Sequence, residues 1–128
     1  MSKGVMQMKR LVVVALMISL IPVPAHADHK KNAWCHQTGD YCTSTQKVKG
    51  KRKLQLRSFV HTGKVKICVT APDDSEVCKR AKLRKNNHDI YVGSKNWAKV
   101  YPDGGPGAYD VVFRWRGNKL GPTLGFHA

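Results

Sequence analysis

The chain has 128 residues, 23 Lys plus Arg against 8 Asp plus Glu, a formal net charge of +15 and 41% hydrophobic residues. This length excludes a multidomain enzyme, and the apolar content excludes a disordered tail. The charge exceeds what solubility requires and points to an acidic partner.

Lys9 and Arg10 precede the apolar run Leu11 to Ile21, and Pro22, Pro24 and the small-x-small triplet Ala25-His26-Ala27 follow it. Basic, apolar and cleavage regions in this order read as a secretory signal peptide over 1–27, so a secreted, extracellular protein is expected. The run falls short of the roughly 20 residues that span a bilayer, so no transmembrane segment is expected. Removing 1–27 takes away Lys3, Lys9 and Arg10 but no acid, leaving 20 basic residues against 8 acidic ones. Residues 28–128 read as one domain, in which 28–53 is a disulfide-looped basic segment and 54–128 a β-sandwich.

Short strands are expected at Leu54 to Val60, Lys64 to Ala71, Val77 to Leu83, Ile90 to Val92, Trp97 to Tyr101, Tyr109 to Arg116 and Leu120 to Phe126. Their regular spacing predicts an all-β fold, a small antiparallel sandwich, with no helix. Tyr109, Val111, Phe113 and Trp115 alternate with polar or smaller partners and should face the core, and Gly117-Asn118 should form a two-residue turn.

Two alternating segments flank Pro72-Asp73-Asp74 and predict a hairpin. With Ala71 facing Ser75, Cys68 lies opposite Cys78. An even cysteine count in an exported chain favours disulfides, so elimination pairs Cys35 with Cys42 around a turn at Gly39-Asp40. No C-x2-C pair supports zinc, and neither a metal nor another cofactor is expected. The same register sets Lys66 opposite Arg80 and Lys64 opposite Lys82, like charges that destabilise a ladder by roughly 0.2–1 kcal/mol per pair. It also turns Lys79 inward opposite Ile67, which demands a bulge or an edge strand.

The stretch Asp103 to Tyr109 resembles the glycine-rich loop and tyrosine that open a late strand in immunoglobulin-like sandwiches. That resemblance implies a Tyr109 hydroxyl bonded back to upstream backbone. The segments CVTAPDDSEVCKRAKLR and GPGAYDVVFRWRGNKLGPTLGF resemble those of small exported basic actinomycete proteins, which implies a secreted bacterial origin.

Catalytic patterns are weak. His29, His36, His61, His88 and His127 are scattered, Glu76 is the sole Glu, and no Ser sits in a nucleophile elbow. His88-Asp89 offers a nuclease-like acid–base pair, but neighbours on an extended segment point to opposite faces. Gly104-Gly105-Pro106-Gly107 lacks the Lys-Ser/Thr of a phosphate loop, and the loop Pro102 to Ala108 is flexible for an inhibitor.

The expected function is therefore non-enzymatic binding of an anionic surface polymer, a cell-wall polyanion or acidic polysaccharide, with anionic lipid headgroups as a further partner. Candidate contacts are Lys64, Lys66, Arg80 and Lys82 on the hairpin, Arg84 and Lys85 after it, and Lys47, Lys49, Lys51, Arg52 and Lys53 before it. Trp34 and Trp97 are candidates for stacking. The alternative is a cationic antimicrobial or toxin-like effector acting on competitor membranes.

Overall fold

The computed structural model describes residues 30–128; the expected signal peptide and its cleavage point lie outside them. The described chain is all-β but for one helical turn, and forms two antiparallel sheets stapled by two disulfides. Along the chain run β1 (Ala33–Cys35), β2 (Tyr41–Ser44), β3 (Lys47–Val48), β4 (Lys51–Ser58), β5 (Lys64–Thr70), β6 (Glu76–Lys82), β7 (Arg84–Lys85) and β8 (Tyr91–Asn96). Helix α1 (Trp97–Val100), β9 (Ala108–Trp115), β10 (Asn118–Lys119) and β11 (Leu124–His127) complete it. The first sheet has the order β1-β2-β4-β8-β7, with β3 also paired to β4; the second has β10-β9-β5-β6, with β11 also paired to β9.

Alternation decides which face is buried. Leu54 and Leu56 of β4, Val65, Ile67 and Val69 of β5, Tyr109, Val111 and Phe113 of β9, and Leu124 of β11 are wholly buried between the sheets. The hairpin β5–β6 has the expected register: Ala71 N–H donates to Ser75 O at 2.8 Å, and Cys68 faces Cys78. Because a ladder bond joins Ala71 to Ser75, the alternation makes Cys68–Cys78, Lys66–Arg80 and Lys64–Lys82 the narrow, non-hydrogen-bonded pairs. Both disulfides join residues directly opposite each other, with Cα atoms 4.0 Å apart. Lys79 is exposed opposite buried Ile67 in an unbroken register, so β6 is an edge strand and the bulge is not needed.

Three expectations are corrected. Trp97 to Tyr101 is not a strand: the β4–β8 ladder ends at Asn96, opposite Lys53, and the chain closes one helical turn, Tyr101 N–H to Trp97 O at 3.3 Å. This lets the Trp97 ring pack edge-on against Tyr109 and Phe126 at 4.9 and 5.5 Å. The β9–β10 turn is Arg116-Gly117, not Gly117-Asn118, with φ of 49° and 81° at the two central residues. Leu120 to Phe126 is split, with Leu120 bonding Phe113 O and the strand resuming at Leu124.

Tyr109 opens β9 at the glycine-rich corner, where its hydroxyl donates to Gly105 O at 2.8 Å and accepts from Gly104 N–H at 3.0 Å. Gly121 is a second tight point: φ is +73°, and a Cβ there would sit 2.5 Å from the Trp34 ring. Gly121→Ala should therefore cost roughly 2–3 kcal/mol, against about 1 kcal/mol for Gly117→Ala, where φ is +81° but the space is open. Thermal melts of the two variants check this; equal losses would mean that Trp34 yields freely.

Candidate polyanion-binding face

The outward side chains of the second sheet form transverse rows. Directly opposed pairs link Lys119 to Arg114, Arg114 to Lys66, and Lys66 to Arg80, so one row crosses four strands with a cation on each. At about 4.8 Å per strand the row spans roughly 14 Å. Lys64 and Lys82 form the next row outward, and Arg116 joins Lys64, Lys66, Arg80 and Arg114 around a shallow cleft of about 440 Å³. Two ion pairs occur among the described residues, Lys30–Asp110 at 3.3 Å and Lys85–Asp89 at 3.4 Å, and neither neutralises this row.

Moving along the strands the other way, the next row is Cys78, Cys68 and Val112, and the one after it Glu76, Thr70 and Asp110. Beyond lies the turn with Asp73 and Asp74. The Ser75 hydroxyl and backbone N–H bond to the Asp73 carboxylate and hold its pKa below the usual carboxylate value. Apart from Lys30, which pairs with Asp110, cations and acids on this face are thus sorted to opposite ends, about 14 Å apart over four residues.

The eleven cations expected to bind do not converge on one patch. Lys64, Lys66, Arg80 and Lys82 share the row system just described. Arg84 and Lys85 lie on β7, at the edge of the other sheet, where Lys85 pairs with Asp89. Lys47, Lys49, Lys51, Arg52 and Lys53 belong to the hairpin β3–β4, which turns at Lys49-Gly50 with φ of 52° and 79°. Arg52 has a structural partner set: its Nη1 donates to Thr45 O at 2.7 Å and its guanidinium lies 4.6 Å over Phe126. Trp34 is half-buried against Gly121, and Trp97 is half-buried against Tyr109 and Phe126.

Sequence reasoning missed Arg114, Arg116 and Lys119. The expected turn at Gly117-Asn118 would set Arg116, not Arg114, opposite Lys119, and the β5–β9 pairing joins segments with no local signal between them. It also missed the apolar tip beside this end of the sheet, where Phe59 is 57% and Val60 54% exposed. The adjacent Thr62 carbonyl accepts the Trp115 Nε1–H at 2.8 Å, and the Arg116 guanidinium lies 4.4 Å over the Trp115 ring.

One side-chain pair has the look of catalytic machinery. Ser58 Oγ lies 2.7 Å from His61 Nδ1, but Oγ also accepts the N–H groups of Val60 and His61 at 3.0 and 2.9 Å. Both lone pairs are used, so the hydroxyl donates to Nδ1 and the imidazole proton sits on Nε2. Ser58 is only 1% exposed, out of reach of a substrate. The pair instead caps the strand and seats the ring edge-on to Tyr41 and Trp115 at 4.9 and 4.7 Å. Burial pushes the His61 pKa down, with the Asp40 charge opposing more weakly. A depressed pKa means that the unfolded chain takes up the proton first, so His61 contributes stability above about pH 6.5 that is lost as the pH falls below it. Denaturant midpoints at pH 7.5 and 5.5 should differ more for the native chain than for His61→Gln; an equal difference would remove His61 from the acid response.

The one cluster of three metal-ligand side chains among the described residues is Cys68, Glu76 and Cys78, and its sulfurs are spent in the disulfide. No helix among the described residues is long and apolar enough to cross a membrane. No family model, curated protein or solved structure matches the chain.

Proposed function

We propose that this is a secreted, non-enzymatic binding protein that grips an anionic polymer across the outer face of its second sheet. The observation that carries this reading is the uncompensated row Lys119, Arg114, Lys66, Arg80. Like charges on adjacent strands oppose folding, and phosphate, sulfate or carboxylate groups laid along the row would relieve that repulsion. The row itself carries cations and no aromatic side chain, so charge is what it would recognise. Acids at the far end favour a polymer lying across the strands near Lys66 over one running down them.

Export by the expected signal peptide fits the two disulfides. The Tyr109 corner supports an immunoglobulin-like sandwich. The polymer reading is tested with fluorescent dextran sulfate against neutral dextran: saturable binding to the first alone is expected, and equal binding to both would discard it.

The exposed Phe59-Val60 tip favours a second reading, a cationic effector that docks on anionic membranes. Dye leakage from phosphatidylglycerol vesicles, abolished by Phe59→Ser, would select it over polymer binding.

A further inference from the structure

A second cleft, separate from the cationic face, opens where the hairpin β3–β4, α1 and β11 meet. Its volume is about 330 Å³, and its walls include Lys47, Lys51, Arg52, Trp97, Lys99 and Phe126. No acidic side chain lines it, and neither described ion pair lies in it. Arg52 is held down by Phe126 and by the Thr45 carbonyl, and burial lowers its pKa; His127 and Ala128 also line the cleft, yet neither described ion pair includes Arg52, and Lys47, Lys51 and Lys99 keep the walls cationic. A partly desolvated guanidinium with spare donors is costly unless an anion meets it. Trp97, another residue of the wall, has a buried Nε1–H with no acceptor among the described residues. An aromatic floor, aliphatic stems and a few convergent donors of one charge sign are the usual composition of a small-ligand site.

We infer that this cleft binds a small amphiphilic anion, a carboxylate or phosphate monoester carrying an alkyl or aryl body. The anionic head meets Arg52 together with Lys51 or Lys99, and the body lies against Trp97. This goes beyond the polymer reading, because the ligand is a free small molecule and the residues are different ones.

Calorimetric titration of the purified disulfide-bonded chain with monomeric decyl phosphate tests it. One-to-one binding is expected, at least tenfold tighter than inorganic phosphate, with no heat from decyltrimethylammonium. Lys51→Glu combined with Lys99→Glu should weaken decyl phosphate at least tenfold while leaving dextran sulfate binding within twofold. Lys66→Glu should do the reverse, so failure of this site and failure of the polymer face are distinguishable. Equal binding of the cationic amphiphile, unchanged affinity in the double variant, or displacement of decyl phosphate by phosphatidylglycerol vesicles would overturn the assignment.

Discussion

Lys66→Glu should make the protein more stable and a poorer binder at once. Lys66 is the centre of the row, opposed by Arg80 on one side and Arg114 on the other. Reversing its charge turns two repulsive cross-strand pairs into attractive ones, a gain of about 1–2 kcal/mol. For a domain of this size that raises Tm by roughly 4–10 °C. A polyanion then meets an acid in the middle of its track, and affinity for dextran sulfate at low salt should fall by roughly tenfold or more. A thermal melt and a binding titration on the same preparation check both halves. A variant that melts lower, or binds as well as the native chain, would show that the row is not the gripping surface.

Removing the hairpin disulfide should have the largest effect on stability. Cys68 and Cys78 are ten positions apart, and the chain-entropy argument gives about 2.5–3 kcal/mol for closing so short a loop. Beyond it, β6 has little to hold it: it is an edge strand, paired only to β5, and Arg80 and Lys82 face Lys66 and Lys64 across the narrow pairs. Cys68→Ala with Cys78→Ala should lower Tm by roughly 10–20 °C. Val77 to Lys82 should lose amide-exchange protection before the β5–β9 ladder does. Binding should weaken as well, because Arg80 and Lys82 leave the row. A loss below about 0.5 kcal/mol would mean that core packing alone secures the edge.

What could be read from the sequence was local. Pro72-Asp73-Asp74 fixed the β5–β6 loop through turn chemistry, and that loop fixed the register, the disulfide and the Lys66–Arg80 and Lys64–Lys82 pairs. Tyr109 to Trp115 was equally plain from its alternation. Ser58 defeated the reading of LQLRSFV as one strand: its hydroxyl takes the Val60 and His61 N–H groups, a side-chain competitor that ends the ladder and leaves Phe59 outside. Lys49 and Arg116 are both at positive φ, which neither residue type signals; the first hid the β3–β4 turn and the second displaced the expected β9–β10 turn by one residue. The full row required knowing that β9 lies beside β5, a pairing between segments some forty residues apart that tertiary packing decides.

The salt dependence of dextran sulfate binding is the most direct measurement. Between 50 and 500 mM sodium chloride, the logarithm of the association constant should fall linearly with the logarithm of salt, with a slope of roughly −4 to −6 if the seven cations of the two rows and Arg116 engage. Lys66→Glu should make that slope shallower by about one. A flat line for the native chain, or the same steep line for the variant, would contradict binding by this face.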